Sequence, residues 1–278
     1  MQNEIYWRLC FFLGVLFLIG ALESLVPYRR QVGLRRHRIG CNLALGLLGT
    51  LVVRFIPVLS AVKAAEWAQN SQWGLLNFLP WPNWLEILLA VSALDCLIYW
   101  QHVIFHRVPW LWQVHRVHHA DVDLDSTSGI RFHTVEYALS MGIKVIAIWI
   151  LGASPFAVVV FEIILNALAI VTHGNFALPV CIEPWIRWMF VTPSMHRIHH
   201  SIDEKEMNSN FGFNMSVWDR LFRTYVSESK QPQQIMRMGI PELQDSKAAS
   251  SLWVMLWLPF RKSENNVGDK QAESSVSG

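Results

Sequence analysis

Charge is scarce in this chain. Only 16% of its 278 residues are charged, against 53% hydrophobic residues and a mean hydropathy of +0.28, a balance that argues against an ordinary water-soluble domain. The 23 basic and 21 acidic residues leave a formal charge of +2, which excludes the strongly basic surface of a nucleic-acid binder. Cysteine is equally sparse. Cys10, Cys41, Cys96 and Cys181 stand far apart with no CxxC pair, so neither a disulfide framework nor an iron–sulfur site is indicated. No GxGxxG, HExxH or ExxH occurs, which removes the dinucleotide fold, the zinc-protease signature and the Glu-rich di-iron bundle. No period of roughly 20 to 50 residues recurs either, so a solenoid is unsupported.

What the chain does have is long apolar runs. Ile5 to Pro27 is preceded by Asn3-Glu4, not by a basic segment, and no A-x-A-like site follows, so it reads as an anchor helix and not as a cleaved signal. Further runs lie at about Cys41 to Val62, with Arg54 and Pro57 inside it, at Leu85 to Phe105, at Tyr137 to Leu151 and at Pro155 to Thr172. The last two are joined by Gly152-Ala153-Ser154-Pro155 and are short enough to form a hairpin that does not fully cross. Five arginines between Tyr28 and Arg38 put that loop on the cytoplasmic face by the positive-inside rule. Counting crossings from there places every histidine on the same face. Folding the hairpin about its turn brings Lys144 level with Glu162 and His173 level with His133 and Glu136; both hairpin charges are costly in lipid unless paired. The expected fold is an all-α integral membrane bundle of about four to five membrane helices with a cytoplasmic, histidine-rich helical cap. Trp73, Trp81, Trp84, Trp185 and Trp188 fit interfacial belts, whereas Trp100, Trp110 and Trp112 sit among the histidines.

Histidine is unevenly spread. Of eleven, five fall between positions 102 and 119. His102 and His106 are spaced i, i+4, one turn apart on a helix face, as two ligands of one metal require. His115-Arg116-Val117-His118-His119 and His196-Arg197-Ile198-His199-His200 repeat one pattern. Eight imidazoles exceed what one tetrahedral ion can use, so two metals are the economical reading. His173 joins them as a ligand, and His133 as a ligand or as an orienting neighbour. His37, alone in the arginine loop, is read as a solvated or lipid-headgroup contact. Neutral ligands call for carboxylates to orient the second ring nitrogens; Asp95, Glu136, Asp203 and Asp219 are the candidates, with Asn175 beside His173. Asp121, Asp123 and Asp125 read as a solvated acidic loop. Imidazole binds zinc, copper, iron and nickel alike, but an all-imidazole pair in dry surroundings suits iron or copper redox chemistry.

The order of these motifs, HxxxH (102–106), HxxHH (115–119), RxHxxE (131–136), His173 near Asn175 and HxxHH (196–200), then Asn210-Phe211-Gly212 and 217–225, resembles the fatty acid hydroxylase and sterol desaturase superfamily of membrane di-iron oxygenases. The chain departs from common forms of these motifs at Val103, Thr134 and Arg223, and carries Ala177 where some relatives have a second histidine. The resemblance implies two iron ions held by His102, His106, His115, His118, His119, His173, His196, His199 and His200, with O₂ as co-substrate. It also implies hydroxylation or desaturation of a sterol, fatty acyl, alkylglycerol or isoprenoid chain drawn from the bilayer. With no second cofactor motif, electrons must come from a separate cytochrome, ferredoxin with its reductase, or reduced pterin. A zinc-dependent membrane hydrolase with Glu136 as base is the rival reading, and it leaves four or more imidazoles unexplained. The expected organisation is N-terminal membrane helices over 1–94, a catalytic domain over 95–225, an interfacial segment over 226–262 with an apolar patch at Leu252 to Phe260, and a disordered tail over 263–278. The membrane is bacterial inner membrane or endoplasmic reticulum.

Overall fold

The computed structural model describes residues 4–261; the tail expected over 263–278 lies outside them. Thirteen α-helices follow one another: α1 (Glu4–Leu25), α2 (Arg35–Arg54), α3 (Ala61–Asn70), α4 (Asn83–Arg107), α5 (Pro109–His119), α6 (Thr134–Leu151), α7 (Pro155–His173), α8 (Glu183–Met189), α9 (Pro193–His199), α10 (Glu204–Met207), α11 (Val217–Leu221), α12 (Ser246–Ala249) and α13 (Leu252–Trp257). Strand pairing is limited to isolated bridges among the described residues. Four helices, α1, α4, α6 and α7, are long and apolar enough to cross a membrane. The α6–α7 hairpin is therefore longer than its apolar runs suggest: α6 has 18 residues and α7 has 19, because Thr134-Val135-Glu136 and His173 continue the helices beyond the apolar stretch. Gly152 closes α6 in the left-handed conformation at φ 69°, and Ser154 caps α7 by accepting from Ala157 N, as the sequence of that turn requires.

The apolar run from Cys41 to Val62 is not one helix. α2 ends at Arg54, a short 3₁₀ turn occupies Pro57–Leu59, and α3 resumes at Ala61, since proline removes a helical donor and clashes with the preceding turn. The broken path still runs alongside α6. A side chain at Gly49 would meet the Tyr137 ring, Leu59 approaches Gly142, and Trp67 packs on Trp149 at 5.8 Å. α3 buries Ala61, Val62, Ala64 and Ala65 against α4, α6 and α7. Far from the histidines, Asn77 donates to Gly152 O at 3.0 Å and Ser154 donates to Glu86.

Within the bundle Lys144 and Glu162 meet at 2.6 Å, as expected from the hairpin register, and Arg8 of α1 reaches the same carboxylate at 2.7 Å. At the other end lies the cap, and there the acidic segment departs from expectation. Asp121, Asp123 and Asp125 are buried, not solvated. Asp121 pairs with Arg38 at 3.2 Å and accepts from Ser128, Asp125 also pairs with Arg38, and Asp123 accepts from the backbone of Val32 and Gly33. The reason is charge balance. Arg38 and Arg131 are themselves fully buried, and buried guanidinium groups hold only when paired. Burial pushes the Asp121 carboxyl up, but Arg38 and Arg131 outweigh it and leave it below the usual carboxylate range.

The arginines of the two histidine triplets point the other way and hold the C-terminal segment. Arg116 donates to Glu242 at 3.0 Å and to Leu258 O at 2.7 Å, and Arg197 donates to Gln233 at 2.8 Å and to Phe176 O at 2.9 Å. The patch at Leu252 to Phe260 is accordingly two-sided. Met255 and Leu258 pack on Leu45 and Val117, while Trp253, Trp257 and Phe260 remain exposed.

Candidate metal centre

Four elements carry the histidines to one place. α4 presents His102 and His106 at its last turns and stops at Arg107, because Val108 precedes Pro109 and cannot stay helical. α5 then starts at Pro109, which tolerates the first helical position, and delivers His115, His118 and His119. α7 ends on His173. α9 begins with the Thr192 hydroxyl accepting from Met195 N and carries His196 and His199, with His200 as its C-cap.

The imidazoles sort into a group of five, His102, His106, His115, His119 and His199, and a group of four, His118, His173, His196 and His200. Within each group the donor atoms lie within 4.8 Å of one another. The triplets are thus split and shared between the groups. Neighbours in a helix diverge by about 100°, so His118 turns away from the i, i+4 pair His115/His119, and His199 turns away from His196/His200. Nε2 atoms face each other at 3.1 Å for His106–His119, 3.0 Å for His102–His199, 3.1 Å for His118–His173 and 2.9 Å for His173–His196. Two nitrogens bound about 2.1 Å from a shared ion at right angles stand about 3.0 Å apart, so the donor set fits a cation in each group. His119 and His200 stack at 4.5 Å, which makes the groups adjacent.

His118, His119, His196 and His200 are held well below the usual imidazole range, first by burial and then by neighbouring imidazoles, and burial pushes His199 down to about 3. A neutral imidazole keeps the lone pair that a metal needs. The second nitrogens are turned by few partners. Glu136 Oε1 accepts from His115 Nδ1 at 2.7 Å, while His115 Nε2 is buried without a partner. Backbone carbonyls serve three others: Phe211 O for His102, Ala169 O for His173 and Ser209 O for His199, at 2.8, 2.7 and 2.7 Å.

The remaining candidates divide. Asp219 acts through the backbone: it accepts from Phe211 N at 2.7 Å and Gly212 N at 2.8 Å, fixing the turn whose carbonyl holds His102. Burial pushes its carboxyl up to about 6 despite these donors. Asp95 touches no histidine; it accepts from Trp218 Nε1 at 2.8 Å and Met215 N at 3.2 Å. Asp203 pairs with Lys230 and caps α10. Asn175 bonds Arg29 in both directions. His133 lies in neither group, because its Nδ1 caps α6 and its Nε2 meets Leu256 O at 3.3 Å. His173 accordingly faces His118 and His196 and not His133 or Glu136. His37 is exposed. Trp112 stands 5.0 Å from His106, whereas Trp100 packs on Phe222 and Trp110 is exposed. Asn210, at φ 51°, was not anticipated as a positioning residue. It donates to Met195 O and Val226 O and so ties the Ser209–Gly212 turn to α9; its place in the Asn-Phe-Gly motif was the only sequence signal.

Residues 87–224 match the family model described as Fatty acid hydroxylase, so the chain carries a fatty acid hydroxylase domain. Among curated relatives it is 27% identical over 228 residues to "Ornithine lipid hydroxylase OlsE" of Rhizobium tropici, covering 80% of this chain and 68% of the relative. It is 27% identical over 181 residues to "Alkylglycerol monooxygenase" of Xenopus tropicalis, covering 65% of this chain and 39% of that protein. To human "Cholesterol 25-hydroxylase" it is 23% identical over 212 residues, covering 70% and 74%. No solved structure matches the chain. These relatives carry the names of hydroxylases and monooxygenases, and the chain spans less than half the length of the alkylglycerol monooxygenases it matches.

Proposed function

We propose that this chain is a membrane-bound, O₂-dependent di-iron oxygenase that hydroxylates or desaturates the aliphatic part of a lipid. The observation that carries the reading is the division of nine buried or half-buried imidazoles into facing groups of five and four. Iron held there would supply the redox chemistry needed to use O₂ against an unactivated C–H bond. The chain's own residues do the rest. Glu136 and three backbone carbonyls fix the Nδ1 protons of His115, His102, His173 and His199, leaving each Nε2 to the metal. Phe132 lies flat on His118 at 4.3 Å, and Phe211 meets the edges of His102 and His106 at 5.6 and 5.1 Å, so the rings are confined and water is kept from them. The apolar flanks of α4, α6 and α7 provide the wall along which a lipid chain reaches the site. The arginine loop stands at the histidine end of α1, which supports a cytoplasmic cap. Electrons come from a separate donor.

The zinc hydrolase reading is disfavoured by the same geometry, because Glu136, its only candidate base, is already engaged by His115 at 2.7 Å. Elemental mass spectrometry of the full chain in lipid nanodiscs after anaerobic Fe(II) loading tests the proposal. About two irons per chain are expected from the two groups, fewer in His118→Ala, and no change in His37→Ala. One tightly held zinc with no iron uptake would overturn the reading.

A further inference from the structure

The loop between α1 and α2 carries more than a topology signal. An open cavity of about 270 Å³ is lined there by Arg29, Arg30, Arg35, Gln31, Glu23 and Asn175, among others. Its walls are fixed. Arg29 donates to Met236 O at 2.7 Å, its backbone exchanges two hydrogen bonds with the Asn175 side chain, and Tyr28 N donates to Asn175 O at 3.0 Å. Glu23, the only acid in the lining, is already occupied by Ser126, Asn175 and Arg35. Guanidinium donors remain over: Arg29 Nη1 and Arg35 Nε are buried without a partner, and Arg30 is exposed.

The surroundings say where this cavity sits. It opens where the apolar helix α1 ends, and apolar side chains flank it at the surface, with Val32 85% and Leu34 76% exposed. Guanidinium groups interleaved with bare aliphatic side chains at the end of a membrane-length helix suit the layer in which phosphates meet acyl chains. Arginine is also the side chain best fitted to phosphate oxygens. We infer that this cavity is a receptor for the phosphate of an anionic phospholipid headgroup. The inference rests on the membrane reading of α1 and not on iron. It ties a bound lipid to the strand of chain that leaves His173, because Asn175 belongs both to the cavity wall and to the residues following α7.

The test uses the full chain reconstituted in phosphatidylcholine nanodiscs with a minority of phosphatidylglycerol, followed by native mass spectrometry of the phosphatidylglycerol retained per chain. Arg30→Gln should lower retention roughly tenfold, as expected for the loss of one charge-assisted guanidinium–phosphate hydrogen bond. Arg36→Gln, also exposed in this region but outside the lining, should leave it unchanged. Equal loss in both variants would reduce the effect to general surface charge and overturn the inference. Displacement of the lipid by inorganic phosphate alone would overturn the lipid source in favour of a free anion. Iron content measured on the same samples separates the two readings. Phosphatidylglycerol retained by a chain that takes up no iron supports the cavity while refuting the oxygenase.

Discussion

Replacing Glu136 by Gln keeps the side chain's shape and removes its charge. The Oε1 atom accepts from His115 Nδ1 at 2.7 Å, and both residues are buried, at 4% and 2% exposure, so solvent screens the interaction little. A hydrogen bond to a charged group contributes about 1.5–3 kcal/mol and a neutral one about 0.5–1.5. The substitution should therefore weaken His115 as a ligand by about 1–1.5 kcal/mol, which corresponds to roughly five- to thirteenfold in metal affinity. That agrees with the roughly 10- to 100-fold losses seen when partners of ligating histidines are removed. The assay is a competition titration of Fe(II) against a chelator, with the full chain in nanodiscs. One class of site should weaken about tenfold, because Glu136 contacts only the group of five; the group of four should be unaffected. If both classes stayed within about twofold of the parent, or both fell together, the assignment of Glu136 to a single group would be refuted.

Glu162 is shared by Lys144 at 2.6 Å and Arg8 at 2.7 Å, so Glu162→Gln strands two cations and should cost about 3–5 kcal/mol. Lys144→Met leaves the Arg8 pair intact and should cost less; thermal unfolding in detergent with the reverse order would contradict the shared-carboxylate geometry. A Cβ on Gly129 would lie 2.3 Å from Ala169 O, the carbonyl that orients His173. Gly129→Ala should lower the melting temperature and also reduce iron bound by the group of four, whereas a loss of stability with full iron content would break that link. Asp121, held below the usual carboxylate range, contributes stability that is present above the unfolded value of about 3.9 and lost as pH falls through the folded one. Acid unfolding should accordingly set in below about pH 4 and be shallower in Asp121→Asn; parallel profiles for the two proteins would disprove it.

Much of the site was legible because its chemistry is written in residue types. Eight imidazoles at helical spacing cannot be explained by packing, and their i, i+4 intervals already imply shared faces. The pairing of Lys144 with Glu162 followed from the register of a hairpin whose turn residues fix its ends. The acidic segment was misread for the opposite reason. Asp121, Asp123 and Asp125 look solvated until Arg38, over 80 positions away in sequence, is seen to reach Asp121 and Asp125, and the backbone of Val32 and Gly33 to reach Asp123. The broken second run was half legible, since Pro57 announced the interruption but not that α3 would continue the same path along α6.

Hydropathy, ligand chemistry and turn geometry are local properties of residues, so the long apolar helices α1 and α4, the histidine set and the α6–α7 turn could be read from the residues alone. How the imidazoles divide depended on the path of the chain. It placed His118 with His173 and His115 with His102, turned three rings by the carbonyls of Ala169, Ser209 and Phe211, and left His133 outside. A backbone carbonyl is the same group in every residue, so no sequence pattern can mark the one that will orient a ligand; only the path of the chain brings it there.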